Sequence, residues 1–514
     1  MINIRYYNII PFTLLICILF NCDSNKLKFN KKPNIIIIYT DDLGYGDVSA
    51  YKNGTLNTPN IDKLANGGIR FTNGYSSSAT CSPSRYALLT GIYPWRNTEA
   101  KIITGGSLII DSDEVTIPRL LKQNKYKTGI VGKWHLGLGF NKIDYNTEIS
   151  PGPNQLGFDY SYIMPDTQDR VPTVYIENGR VVNLDANDPI EVDFKTNFQG
   201  QPTGKTNPEL LKMKWHHGHN GSIVNGIPRI GFMKGGEKAK WSDIGMADHF
   251  LEKAKNYIKN NKDNSFFLFY SLQQPHVPRT PHPRFEGKSG MGPRGDAIIE
   301  ADWCVGELYE TLESIGIIDN TLIIFSSDNG PVLNDGYYDN AVEKIGDHTP
   351  SGRLRGGKYS LFEAGTRVPF ISYWKNRIEP AVSDKIISQV DIISSIAKII
   401  GSDYRSQDGK DLSGLILDNK GTGRSELILE ATSRTAYRHG DWVMIPPYYG
   451  EAISKNVNIE LGNSRDYKLY NLKNDPSQKI NLSKKNSKKL EEMIIKYEKI
   501  IGEKNTNTKD LILE

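Results

Sequence analysis

The chain has 514 residues, 38% of them hydrophobic and 24% charged, with four cysteines. This is ordinary globular composition, with length for one large domain and a smaller one. A net charge of +4 gives no ground for nucleic acid as a partner, and so few thiols argue against a disulfide framework.

The opening residues, "MINIRYYNIIPFTLLICILFNCDSN", set Arg5 ahead of an apolar run from Ile9 to Phe20 and then a polar region. That is the layout of a secretory signal, too short for a membrane span, and residues 1–22 are read as one. Cys22, after Leu19, Phe20 and Asn21, resembles the lipidated residue of a bacterial lipoprotein box, although Asn21 stands where a small residue is usual. Simple cleavage or an uncleaved anchor is the alternative. The expectation is an exported protein of the bacterial periplasm or cell envelope, an outer-membrane lipoprotein if Cys22 is lipidated, with no other membrane contact.

Beyond a short basic linker, "KKPNIIIIYTDDLGYGD" opens with Ile35 to Ile38, a β-branched run suited to a strand buried on both faces. The design recurs in "KTGIVGKWHLG", which runs through Ile130 and Val131 to Lys133 and His135. It recurs in "SFFLFYSLQQPH", ending at His276, and in "TLIIFSSDNG", ending at Asp328 and Asn329. Helical stretches such as "NIDKLANGG", "TIPRLLKQNKY" and "AIIEADWCVGELYETLESIG" lie between, so the class is α/β. Cys304, in the last of these, reads as a buried structural thiol on an amphipathic helix. Active sites of open α/β sheets form at the carboxyl ends of the strands, and each of these four strands ends in residues capable of chemistry.

The region from about Asp159 to Met246, rich in Gly, Pro and Asn, breaks this rhythm and reads as inserted loops and short strands over one rim of the sheet. From about Glu426, "ELILEATSRTAYRHGDWVMIPP" and "RDYKLYNLKNDPSQ" read as short antiparallel strands, and "SKKLEEMIIKYEKII" as a charged helix. The expected division is a catalytic domain over 32–424 and a small C-terminal subdomain over 425–514.

Asp41-Asp42 alone fits a turn or helix cap, and Asp328-Asn329 before Gly330 fits a turn. Because both pairs follow buried strands, they can converge on one rim. Three carboxylates and an amide carbonyl are hard oxygen ligands suited to Ca²⁺ or Mg²⁺. Lys133 and His135 alternate past a strand and can point to one side, His276 lies in a proline-stiffened loop, and Lys358 follows two glycines. Cations facing a metal site suggest an anionic substrate whose leaving oxygen needs a proton. In "SSATCSPSRYALLTG", Pro83 suits the first turn of a helix, so Cys81 lies at a helix N-terminus that favours an anion, with Arg85 one turn along. On these grounds alone Cys81 would be a thiolate nucleophile of low pKa.

"CSPSRYALLTG" resembles the sulfatase signature Cys-x-Pro-Ser-Arg-x-x-x-Leu-Thr-Gly, and "DDLGYGD", "TPNIDKLANGGIRFTNGY", "GKWHLG", "PHVP", "SSDNG", "RGGKYSLFEAGTRVP" and "YNLKNDPSQKINL" match family landmarks in order. Over nearly all of its mature length the chain resembles a type I, formylglycine-dependent, arylsulfatase-like sulfatase of the alkaline phosphatase superfamily. The resemblance implies a large, mixed, mostly parallel sheet between helices and a small C-terminal antiparallel sheet. It implies that a maturation enzyme oxidises Cys81 to formylglycine (3-oxoalanine), and that Asp41, Asp42, Asp328, Asn329 and an oxygen of residue 81 hold one Ca²⁺. Arg85 and Lys133 would stabilise the aldehyde hydrate and the sulfate, with His135 beside the hydrate hydroxyl. His276 and Lys358 would contact the sulfate and ester oxygen, His276 as proton donor to the leaving alcohol.

The implied substrate is an O-sulfated oligosaccharide or polysaccharide, of algal ulvan or carrageenan type or a glycosaminoglycan. Departures from the family pattern fall in Asp166 to Met246, "RTPHPRFEGKSGMGPRGD" and "NDGYYDNAVEKIGDHTPSGR". Trp215, His217, Arg170 and Arg279 are expected sugar contacts there. "WHHGH", Trp215 to His219, suggests zinc but has no evident further ligand. Two other readings remain: a phosphomonoesterase or phosphodiesterase of the same superfamily, whose second metal cluster is not apparent, and a catalytically dead glycan-binding surface lipoprotein, which would not need the full residue set.

Overall fold

The computed structural model describes Met1, residues 32–51 and residues 55–502. Cys22 and the signal segment lie outside the described residues. The fold is built on a ten-stranded mixed sheet with helices on both faces. Its strands are β1 (Asn34–Thr40), β2 (Ile69–Tyr75), β3 (Lys127–Lys133), β4 (Tyr160–Met164), β5 (Ile176–Glu177), β6 (Arg180–Val181), β7 (Phe266–Ser271), β8 (Thr321–Ser327), β9 (Phe370–Tyr373) and β10 (Ala381–Ser388). They lie in the order β10-β2-β9-β8-β1-β7-β3-β4-β5-β6. The central five, β8-β1-β7-β3-β4, are parallel, and β9 and β5 run against their neighbours.

The isoleucine run of β1 divides between the two faces. Ile35 and Ile37 join a core with helices α2 (Cys81–Thr90) and α3 (Ile117–Gln123), while Ile36 and Ile38 join one with α1 (Pro59–Gly67), α4 (Met246–Asn261) and α5 (Gly292–Ser314). Each is fully buried, worth about 1.5–3 kcal/mol apiece by transfer. Cys304, on α5, is buried in the second core.

Register brings the carboxyl ends of the strands level. Thr40 stands opposite Ser327, Tyr39 opposite Ser271, and Ser271 opposite Gly132. At Gly132 the backbone has φ 115°, and a Cβ there would lie 1.8 Å from Ser271 O, so only glycine lets β3 close up beside β7 just before Lys133.

The sheet is large and mixed, as the resemblance implies. Beyond the four strands read from composition, β2, β9 and β10 extend one flank, and β4 extends the other from within the region read as loops and short strands. β4 has only five residues, and its order comes from parallel pairing with Gly129 to Lys133 rather than from a pattern of its own. The remainder of that region holds short ladders, such as Ile223–Val224 with Ile227–Pro228.

A four-stranded antiparallel sheet closes the chain: β11 (Glu426–Ala431), β12 (Arg434–His439), β13 (Trp442–Ile445) and β14 (Lys468–Asn471). Helix α6 (Ser487–Ile501) covers it through Met493. Leu427, Leu429 and Tyr470 pack with Tyr75, Ala79, Leu361 and Phe362, and Ala79 N donates to Glu430 O at 2.8 Å. The small sheet thereby braces the segment that leads into Cys81.

Candidate active site

Cys81 is the first residue of α2, after an extended Thr80, and every residue of that helix is buried. Its Sγ lies 3.5 Å from Asp41 Oδ1. Arg85, one turn along, aims Nε and Nη2 at Asp328 Oδ2 (3.1 and 2.8 Å) and Nη1 at Ser271 Oγ (2.6 Å). Lys133 Nζ pairs with Asp41, and Lys358 Nζ lies 2.9 Å from Asp42 Oδ2 and 2.7 Å from Asp335 Oδ2. Asn329 Nδ2 donates to Asp42 Oδ1 at 2.7 Å. His276 Nε2 is 3.8 Å from Asp42 Oδ2 and 3.9 Å from Asp335 Oδ2. Its Nδ1 lies 2.7 Å from Val277 O, which can only accept, so Nδ1 carries the proton.

All the residues named for the metal and the reaction therefore meet at the carboxyl rim of the sheet. His135 arrives differently from the expected strand alternation: β3 ends at Lys133, and His135 reaches the site through a left-handed backbone with φ 54°. Its Nε2 lies 3.0 Å from Ile103 O, and its Nδ1 is buried with no hydrogen-bond partner. Burial, with Lys133 and Arg170 nearby, holds its pKa well below the usual imidazole value, so the ring is neutral with a bare acceptor.

Burial, with Asp328 and Asp41 close by, pushes the Cys81 thiol well above its usual value despite Lys133 and Lys358, against the direction expected from the helix N-terminus alone. Desolvation and neighbouring carboxylates outweigh the helix N-terminus.

The oxygen donors of the site fit a hard cation: Asp41 and Asp42 bring carboxylate oxygens within 4.8 Å of one another, in a group that also holds Cys81 and His276. Asn329 Oδ1 is buried without a partner, a carbonyl acceptor with nothing to accept. Burial, with Asp328 and Asp42 beside it, raises the Asp41 pKa, the mark of carboxylates crowded closer than Lys133 alone can compensate.

Above these groups is a cavity of about 90 Å³ whose lining includes Cys81, His135, Asp169, Arg170, His217, His219, His276, Asp335 and Lys358. Of the expected sugar contacts, Arg170 and His217 reach it. Arg170 Nη1 donates to Thr167 Oγ1 at 2.5 Å, and its Nε is buried without a partner.

Arg279 does not reach the cavity. Its guanidinium is buried against Pro275 O (2.9 Å), Leu333 O (2.7 Å), Val332 O (3.0 Å) and Asp339 Oδ2 (2.7 Å), so its role is structural. Trp215 also stands outside, its Nε1 donating to Gly204 O at 3.0 Å. The histidines of "WHHGH" do not converge on one point: His216 and His217 meet through their Nδ1 atoms at 2.7 Å, and His219 Nε2 lies 2.8 Å from Asp169 Oδ2.

Three participants were not singled out from sequence: Asp335, Asp169 and Ser271. Asp335 comes from the loop leaving β8, where only proximity to Asn329 in the chain hinted at it. Ser271 is the last residue of β7, and its position at a strand end was the available signal.

A family model described as Sulfatase matches residues 33–402. The chain belongs to the sulfatase family. It is 46% identical over 495 residues to an N-acetylgalactosamine-6-O-sulfatase of Bacteroides thetaiotaomicron, covering 94% of this chain and 97% of that protein. It is 31% identical over 407 residues to human arylsulfatase A, covering 77% and 69%. A solved structure described under the metabolism of multiple glycosaminoglycans by Bacteroides thetaiotaomicron superposes with a TM-score of 0.90 at 46% identity, over 92% of this chain and 99% of that one. This sulfatase accordingly has the alkaline phosphatase-like fold and hydrolyses sulfate esters, which sets aside the phosphoesterase and the inert glycan-binder. Asp41, Asp42, Cys81 and His276 form a buried group that could hold a metal ion.

Proposed function

We propose that this sulfatase removes the 6-O-sulfate of N-acetylgalactosamine residues in a glycosaminoglycan, with one Ca²⁺ and with formylglycine made from Cys81 by a maturation enzyme. The observation that carries the substrate is the 46% identity, spanning nearly both full chains, to an N-acetylgalactosamine-6-O-sulfatase. It favours the glycosaminoglycan branch of the expectation over ulvan or carrageenan.

Asp41, Asp42, Asp328 and the Asn329 Oδ1 would hold the ion. Bound there, the ion supplies a Lewis acid that offsets the sulfate charge, and the hydrated aldehyde at residue 81 supplies the nucleophilic hydroxyl.

The chain's own groups do the rest. Arg85 is fixed by Asp328 and Ser271, so its fork stays in place beside residue 81 at the N-terminus of α2. Lys133 and Lys358, paired with Asp41 and Asp42, bring their charge to the rim beside residue 81, where it would meet the sulfate oxygens. Neutral His135 accepts a proton at Nδ1 from a hydroxyl on residue 81. Burial, with Lys358 beside it, pushes the pKa of His276 down to about 4. A bound sulfate raises its proton affinity, so Nε2 can hold and then release a proton to the departing sugar oxygen.

The test is sulfate release by matured enzyme from 6-sulfated N-acetylgalactosamine, its 4-sulfated isomer, 6-sulfated N-acetylglucosamine, carrageenan oligosaccharides and phosphate esters, with mass spectrometry of the residue-81 peptide. Release confined to the first is expected. Release from the algal or phosphate substrates instead, or activity with an unmodified thiol, overturns the reading. Export belongs to the same proposal. Membrane fractionation of wild type and Cys22→Ser tests it, with loss of membrane association expected in the variant and an unaltered distribution rejecting the lipid anchor.

A further inference from the structure

The hydrogen bond of the His276 ring, from Nδ1 to Val277 O, is to the next residue, so it sets the ring against its own loop and not against the rim. Asp42 and Asp335 lie 3.8 and 3.9 Å from Nε2, beyond hydrogen-bond distance. The ring is therefore only as well placed as its loop, residues 274–282, "QPHVPRTPH". Pro275, Pro278 and Pro281 have no N–H, which leaves that loop poor in backbone donors of its own.

Two kinds of tie hold it. The middle is fastened to other loops: Arg279 donates to Val332 O, Leu333 O and Asp339 Oδ2 as well as to Pro275 O, and Thr280 Oγ1 donates to Asp243 O at 3.3 Å. Both ends are fastened to helix α5, and by one side chain. Gln274 Nε2 donates to Glu300 Oε2 and His282 N donates to Glu300 Oε1, each at 2.9 Å.

Glu300 is buried on α5, whose Ile298, Ala301 and Cys304 belong to the second core. A buried carboxyl is costly unless its oxygens find donors, and both donors here come from the loop. No step of the reaction uses it. Gln274 stands between this clasp and the rim, for its O accepts from Asp41 N at 3.1 Å.

We infer that Glu300 is the positioning residue of His276: it clasps both ends of the 274–282 loop to α5 and so holds Nε2 of His276 where the ester oxygen departs. This rests on the proposed role of His276. As the S–O bond breaks, its electron pair stays on that oxygen and Nε2 gives up a proton to it. An acidic phenol leaves without such help, whereas a more basic oxygen depends on it.

The test is a series of aryl sulfates, from nitrophenyl to unsubstituted phenyl, turned over by matured wild type, Glu300→Ala and Glu300→Gln. For Glu300→Ala the loss of kcat/KM is expected to grow along the series, from about threefold or less on nitrophenyl sulfate to about thirtyfold on phenyl sulfate, because a displaced acid costs most where the leaving oxygen is most basic. Glu300→Gln should recover most of that loss. Its Oε1 can take the His282 N–H, and the Gln274 amide, turned over, offers its own Oε1, now buried without a partner, to the new Nε2. A loss that is absent or equal along the series, as from a merely structural role or from damage to Asp41 through Gln274, overturns the inference. If Glu300→Ala does not fold, Gln274→Ala cuts the clasp from the loop side and is judged by the same two outcomes. His276→Ala separates the inference from the reading beneath it: if its own losses are level along the series, His276 is not the proton donor and that reading fails. The double variant, followed on the sugar sulfate, then decides the clasp. No further cost of Glu300→Ala in the His276→Ala background supports it, and a full additional cost overturns it.

Discussion

The carboxyl rim of the central sheet and the loops that roof it solve different problems with different means. On the rim, Asp41, Lys133 and Asp328 stand at or just past the ends of three parallel strands whose register leaves no freedom, and their charges are buried and paired. In the roof, Arg170, His217 and Tyr338 come from loops held by backbone pairs between distant segments. The rim is built for chemistry that tolerates no misplacement, and the roof for recognition that can vary without disturbing it. Variants at the two places should therefore fail in different ways.

The largest effect belongs to the rim. Asp328→Ala removes a carboxylate and releases the fork of Arg85, and sulfate release should fall by about a thousandfold or more on every substrate, small or large. Chelation of the ion should do the same reversibly, and should also lower the melting temperature, since a ligand held only by the folded state stabilises it. Full activity after exhaustive chelation would exclude the ion from the reaction. Next comes Arg85→Lys, which keeps the charge and loses the fork that reaches Asp328 and Ser271 together. A fall in kcat of about a hundredfold with KM little altered is expected, because the lost contacts position the reacting group. An equal loss in KM alone would place Arg85 in substrate binding only.

The same contrast explains what could be read from the chain. Ile35 to Ile38 and Leu322 to Phe325 announce buried strands by composition, and the acidic pairs that follow them land on the rim because parallel register carries them there. What was not legible depends on partners far away in sequence. β4 is too short to show a pattern and is ordered by β3. His135 reaches the site through one left-handed residue rather than by strand alternation. Arg279 has the look of a ligand-binding arginine, yet Asp339, 60 residues on, and three carbonyl groups enclose it. The thiol of Cys81 looked activated by its helix, but the desolvation that reverses this exists only after folding.

The roof gives smaller and more selective effects. Arg170→Ala should lower kcat/KM by about tenfold on the sulfated sugar and less on a small aryl sulfate, since its unpartnered Nε lies in the part of the cavity wall that the loops supply. Uniform losses on both substrates would move Arg170 into the reacting group. Arg279→Ala should have the least effect on turnover of a small aryl sulfate and a large one on folding. It strands the buried carboxylate of Asp339 and three carbonyl acceptors, and loss of one partner of a buried pair costs about 3–5 kcal/mol. Urea denaturation should show that loss while the aryl sulfate rate per folded molecule stays near wild type. A variant of unaltered stability but lower activity on small esters would return Arg279 to the site and break the division between rim and roof.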